Sequence, residues 1–181
     1  MSNNALNIFF RPIQLSDAPL LYHWRQQPHV ARWWNVAPYE AQTLEEVEEE
    51  LREDLELAEH ESFIILVDEN PVGYLQTYNA GNASGEWWPD EDTSTAGLDF
   101  LIGEEDLTGQ GLGPAIVRVV SERLFADSEV KSIIADPNPD NVRSVRCFEK
   151  AGFVVERQLE TPDGTSLLMR LRRDEWAELS S

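Results

Sequence analysis

The fold of this chain is decided by Asp136-Pro-Asn-Pro-Asp140-Asn141-Val-Arg-Ser-Val-Arg-Cys147-Phe148-Glu-Lys-Ala-Gly152-Phe153. Asp140 or Asn141 offers an N-cap, the residues that follow run as a helix to Ala151, and Gly152 ends it. Upstream, Lys131 to Ala135 reads as a short strand, preceded by a helix with Leu112, Ile116, Val119, Val120 and Leu124 at helical spacing. Gly109-Gln110-Gly111-Leu112-Gly113 opens that helix, and a Gly103 to Gln110 connection joins it to a preceding strand from Thr95 to Ile102. Ala96, Leu98, Phe100 and Ile102 share one face of that strand, which leaves Gly97, Asp99 and Leu101 on the other.

Working outward, Ile8 to Gln14 predicts a strand, and Ser16 predicts the N-cap of a helix that Pro28 closes. A loop with Arg32, Trp33 and Trp34 is expected next, then a helix opened by a Thr43/Glu46 capping box, with Leu44, Val47, Leu51 and Leu55 as its apolar stripe. Ser62 to Val67 and Val72 to Tyr78 predict a hairpin across Asp68 to Pro71. Asn79 to Thr95 reads as a loop around Trp87 and Trp88, and a last hairpin, Phe153 to Glu160 with Thr165 to Leu171, turns at Pro162-Asp163-Gly164. Hairpins mixed with helical crossovers around one sheet make an α+β architecture, and 181 residues suit one domain spanning 1–181.

Composition excludes several function classes. The net charge is −20, with 34 acidic against 14 basic residues, so nucleic acid and anionic membrane are not expected partners. Ten of the seventeen residues from Glu45 to Glu61 are acidic and read as a solvated helix face. Cys147 is the single cysteine and the three histidines are scattered, so neither disulfide nor metal chemistry is expected. No apolar run has membrane-spanning length and Met1 to Arg11 has no leader pattern, which predicts a cytoplasmic protein.

The glycine loop sits where backbone amides and a helix N-terminus favour an anionic group. Pro114 in place of a third glycine rules out a dinucleotide fingerprint, and the Gly-Lys-Ser/Thr of a nucleotide-triphosphate loop is absent. Thr108-Gly-Gln-Gly111-Leu-Gly113 and the Asp136 to Phe153 stretch together resemble the acyl-CoA motifs of the GNAT family of N-acyltransferases. The resemblance implies a GNAT fold, a mixed central sheet flanked by helices, with acetyl-CoA as co-substrate and no metal. It assigns Leu101, Ile102, Thr108, Gly109, Gln110, Gly111, Leu112, Gly113, Asn141 and Phe148 to the acyl-CoA site. Thr108 departs from the Gln or Arg of the family motif, and Phe148 departs from the Tyr that can protonate the leaving thiolate.

Within that family the chain is most similar to aminoglycoside 6′-N-acetyltransferases, through Trp33-Trp34, Gly73-Tyr74-x-Gln76, Trp87-Trp88, Gly97-Leu-Asp99 and Thr161-Pro-Asp-Gly164. The resemblance implies that Asp99 binds and deprotonates the reacting amine, that Asp136 and Asp163 bind further ammonium groups, and that Trp88 walls the pocket. Gly85 stands where relatives carry an aspartate, which makes Glu86 the nearest substitute acid. The expected partner is a cationic amine, an aminoglycoside, bound by a monomer or homodimer. Two alternatives stay open: a siderophore-type acyltransferase acting on N6-hydroxylysine, and a non-catalytic acyl-CoA-binding module. The first would carry a histidine at position 99, where this chain has Asp99.

Overall fold

The structure of the protein is a computed structural model that describes residues 6–34, 42–57, 60–82, 87–162 and 164–179. One seven-stranded sheet runs in the order β1-β2-β3-β4-β5-β7-β6. Its strands are β1 (Ile8–Pro12), β2 (His60–Val67), β3 (Asn70–Asn79), β4 (Thr95–Ile102), β5 (Ser132–Ala135), β6 (Val154–Thr161) and β7 (Gly164–Arg172). The helices are α1 (Ala18–Arg25), α2 (Pro28–Trp34), α3 (Leu44–Leu57), α4 (Leu112–Phe125), α5 (Val142–Ala151) and α6 (Arg173–Leu179).

Local chemistry explains most of these boundaries. The Thr43/Glu46 capping box forms as expected: the Thr43 amide donates to Glu46 Oε2 at 2.6 Å, and the Glu46 amide donates to Thr43 Oγ1 at 3.2 Å. Asp68 and Glu69, both at positive φ, make the two-residue turn between β2 and β3, so Pro71 falls inside β3 where the register shifts. Asn141 caps α5 by accepting from the Ser144 amide at 3.2 Å. Gly152, at φ 105°, closes α5 with paired bonds from Gly152 N to Glu149 O and Phe153 N to Phe148 O, each 3.0 Å.

Further expectations are corrected at the helix ends. The N-cap of α1 is Asp17, not Ser16, because a 3₁₀ turn over Leu15–Asp17 precedes the helix and the Asp17 carboxylate takes the Gln14 amide. Pro28 does not end a helix before a loop; it starts α2, whose first-turn position needs no N–H, so Arg32 and Trp33 are helical. The chain also ends in α6, whose Arg173 caps α4 by donating to Phe125 O at 2.9 Å.

The two faces of the sheet carry different cores. Phe63, Leu75, Ala96 and Leu98 face α4 and α5, with Ile116, Val120 and Phe148 packed against them. Ile64, Tyr74 and Leu101 face α1 and α3, where Trp24, Val47 and Leu51 cover them. Leu55, expected on the same stripe, is exposed.

The feature that creates a site is the junction of β4 and β5. These strands are parallel, joined by the α4 crossover, and they pair only from Thr95–Gly97 to Ser132–Ile134. Beyond Gly97, β4 is bonded to β3 alone, and a gap opens on its other side.

Candidate active site

Register determines what faces that gap. Gly103 N donates to Val72 O at 2.8 Å, so odd-numbered residues at this end of β4 bond to β3 while Phe100 and Ile102 turn their backbone groups into the gap. His29 Nε2 lies 2.9 Å from the Ile102 carbonyl, which anchors α2 to the gap edge. Leu101 therefore meets the gap through its side chain only, whereas Ile102 offers its N–H and Phe100 both groups.

A cleft of about 1360 Å³ runs through the gap, and its two ends differ in charge. At one end lies the glycine loop. Gly109 and Gly111 have φ of 74° and 86°, a conformation that suits glycine, and a Cβ at either would meet nothing within 4 Å. Helix geometry leaves the amides of Leu112 and Gly113 without intrahelical acceptors, and Pro114 has none to offer. Thr108, Gly109, Gly111 and Gly113 line the cleft; Leu112 turns its side chain into the core. Gln110 curls back to donate to the Asp106 carbonyl and does not line the cleft.

Sequence reasoning missed Arg143. Its guanidinium reaches across from α5 to donate to Thr108 Oγ1 at 3.1 Å, and it makes no ion pair among the described residues. Arg143, Arg146 and Lys150 line this end of the cleft on successive turns of α5. Their i, i+3, i+7 spacing was visible, yet nothing in the sequence said which face of the helix met the loop.

Asn141 and Phe148 occupy the middle. Phe148 is buried and packs edge-on to Phe100, with ring centroids 5.9 Å apart, and against Phe153 at 5.2 Å. Burial pushes the neighbouring Cys147 thiol up to about 12, so the cysteine of this helix is not a thiolate nucleophile.

The other end is acidic and aromatic. Ser62, Gln76 and Asp99 form one cross-strand row on the face that carries Tyr74, and His60, Tyr78 and Gly97 form the next. The Tyr78 ring lies over Gly97, where a Cβ would come within 2.2 Å of it. Burial raises the Tyr78 phenol well above its ordinary value, the charges of Asp99 and Asp136 raise it further, and the Trp88 indole opposes them by donating to its oxygen. The tyrosine thus reports both carboxylates, one from β4 and one just past β5, at a single place. Trp88 is 5% exposed and plugs a small core with Ala80, Ile134 and Leu168 while its edge lines the cleft, so it serves packing and wall together. Trp33 and Trp34 of α2 line the same end. Glu86 and Asp163 lie outside the described residues.

The loop bearing the tryptophans is tied down by charge. Arg170 of β7 donates to both Glu91 carboxylate oxygens, at 3.1 and 2.5 Å, and to Ser132 Oγ at 2.9 Å, and it pairs with Glu156 at 2.9 Å. Arg157 of β6 holds the adjacent Asp90 at 3.0 Å.

Comparison with known proteins agrees with this geometry. A family model for the acetyltransferase (GNAT) domain matches residues 14–161. The chain belongs to the GNAT acetyltransferases. Within the family it is 34% identical over 171 residues to aminoglycoside N(6′)-acetyltransferase type 1 of Klebsiella pneumoniae, covering 93% of this chain and 85% of that protein. A kanamycin resistance protein of Rhizobium radiobacter is 43% identical over 86 residues, 47% of this chain and 80% of that protein. Among solved structures, aminoglycoside acetyltransferase AAC(6′)-Ib in complex with coenzyme A and kanamycin superposes with a TM-score of 0.88 at 33% identity, covering 97% of this chain and all of that one. The GNAT fold and mixed sheet expected from sequence are therefore the fold of this chain. No group of three or more metal-binding side chains occurs among the described residues, and no described helix is long and apolar enough to cross a membrane.

Proposed function

We propose that the protein transfers an acetyl group from acetyl-CoA to the 6′-amino group of an aminoglycoside by direct attack. The observation that carries this reading is the division of one cleft into an anion-binding end, built from the glycine loop and Arg143, and an acidic aromatic end holding Asp99 and Asp136. The diphosphate of CoA suits the loop amides and Arg143, and the pantetheine amides suit the backbone groups of Phe100 and Ile102, which lack a neighbouring strand. On this reading the thioester lies between Asn141 and Phe148. A polycationic amino sugar suits the opposite end through its ammonium groups and the indole and phenol faces.

Asp99 binds the reacting ammonium and takes its proton, directly or through water. The freed amine attacks the thioester carbonyl, the C–N bond forms, and the C–S bond breaks as the tetrahedral intermediate collapses. Phe148 has no proton to give, so the sulfur leaves as a thiolate and is protonated by solvent or by the proton released from the amine. Cys147 takes no part in this step, because a thiol held near 12 stays protonated at neutral pH.

Release of free CoA thiol from acetyl-CoA, measured with kanamycin-like aminoglycosides, polyamines and N6-hydroxylysine, tests the reading. Turnover confined to compounds with a 6′-amine supports it. Turnover with hydroxylysine alone replaces it with the siderophore-type reaction, and CoA binding without turnover on any amine leaves a binding module.

A further inference from the structure

We propose that Gln76 reads an oxygen of the acceptor that lies beside the reacting amine, and that Ser62 and Tyr74 hold its amide in the orientation this requires. The proposal rests on the amino-sugar reading above and names the group that recognises the sugar as a sugar.

The argument begins with a proton count. Tyr74 is 2% exposed, beneath α1 and α3, and its hydroxyl donates to Gln76 Oε1 at 3.1 Å. A phenol has one proton, so the 2.9 Å contact between Tyr74 and Ser62 must be donated by Ser62. Burial raises the Tyr74 phenol to about 12, with Asp54 and Asp99 adding to the rise against the Ser62 bond, so the donor keeps its proton at neutral pH. With the Gln76 amide oxygen turned to Tyr74, the chain of bonds runs Ser62 to Tyr74 to Gln76 and engages that oxygen. The two N–H groups have no hydrogen-bond partner among the described residues, and Gln76 lines the cleft.

Position gives those donors a purpose. Gln76 stands directly across from Asp99 in a hydrogen-bonded pair of β3 and β4, with side chains on the same face. An amine held by Asp99 thus brings its neighbouring atoms against the Gln76 amide. N–H donors there favour an acceptor with an ether or hydroxyl oxygen next to the reacting carbon, as an amino sugar has. A linear polyamine offers only further N–H groups and meets a donor with a donor. The charges of the pocket attract both classes, so charge alone does not separate them and this amide does. Tyr74 in turn is braced by Trp34, edge-on at 5.7 Å, which links the amide's orientation to α2.

Two replacements in the full-length protein test the assignment, by steady-state kinetics with a kanamycin-class aminoglycoside and acetyl-CoA at pH 8.5. Gln76→Glu keeps the shape, exchanges donors for acceptors, and adds a negative charge that by itself favours a polycation. The KM for the aminoglycoside is expected to rise about tenfold while that for acetyl-CoA stays unchanged. Tyr74→Phe keeps the ring against Trp34 and frees the amide to turn, with an expected rise of about two- to fivefold in the same KM. An aminoglycoside KM that is equal or lower in Gln76→Glu overturns the proposal, since charge alone then explains binding. A parent enzyme that binds CoA yet releases no thiol with any aminoglycoside overturns the amino-sugar reading itself, a result distinct from an active parent with unchanged variants.

Discussion

Replacing Gly111 with Ala isolates the contribution of the loop proposed to hold the CoA diphosphate. Gly111 sits at φ 86°, ψ 0°, and a Cβ built there touches nothing within 4 Å, so the penalty is purely one of backbone conformation. A left-handed L-residue costs about 1–2 kcal/mol, which is about a 5- to 30-fold change in an equilibrium constant. The loop is exposed, so it relaxes locally instead of straining the whole fold, and relaxation turns the amides of Leu112 and Gly113 away from the bound anion. Titration calorimetry with CoA should therefore show Kd raised about 5- to 30-fold with little change in melting temperature. Gly113→Ala is the contrasting control. Its Cβ would approach Cys147 Sγ to 2.8 Å, so α4 would have to move from α5 and the melting temperature should fall. A Gly111→Ala protein with parental Kd and parental melting temperature would show that the loop does not hold the donor.

Asp99→Asn should lower turnover by about a hundredfold or more while CoA affinity measured by calorimetry is retained, because the amide cannot accept the ammonium proton; parental turnover removes Asp99 from the mechanism. Gly97→Ala should raise the acceptor KM and lower the melting temperature, since its Cβ would lie 2.2 Å from the Tyr78 ring, and an unchanged acceptor KM would separate Tyr78 from the pocket. Cys147→Ala should retain turnover, and the native thiol, held near 12, should resist alkylation at pH 8 until the protein unfolds. Arg170→Met should cost about 3–5 kcal/mol at pH 7, because Glu91 loses a guanidinium in a pair whose side chains are 11% and 8% exposed. Part of that loss is pH-dependent. Burial raises the Glu156 carboxyl, but Arg170 and Arg172 more than offset it and hold it below the usual range. A lowered folded-state value stabilises above the unfolded one and loses its effect as pH falls through the folded one, so the gap between urea melts of parent and variant should narrow as pH falls below the usual carboxylate range. A gap that stays constant with pH would contradict that assignment.

The elements that could be read from sequence were those governed by local chemistry. Asn141 and Gly152 bound α5, Thr43 and Glu46 open α3, and the alternation along β4 separates Asp99 from Leu98 and Phe100. Pro28 misled because a proline that cannot continue one helix is well suited to begin another. Arg143 was silent, and Tyr74 and Gln76 stood in a motif without a role, for a different reason. Their roles depend on which strand lies beside β3 and which face of α5 meets the loop, and such pairings bring together residues far apart in the chain. Asp136 and Asp99 were named from resemblance; their common neighbourhood became visible only through Tyr78, to which no motif pointed.

The three-residue pairing of β4 with β5 has a consequence for how this enzyme can change. On the proposed reading, the donor's seat is an unfilled place in a sheet, shaped by main-chain geometry that side-chain substitutions leave alone. The acceptor's walls come instead from a short helix and a tethered loop, where single replacements redraw the surface. On that reading, replacements that suit a new amine can redraw one half of the cleft and leave the other as it is.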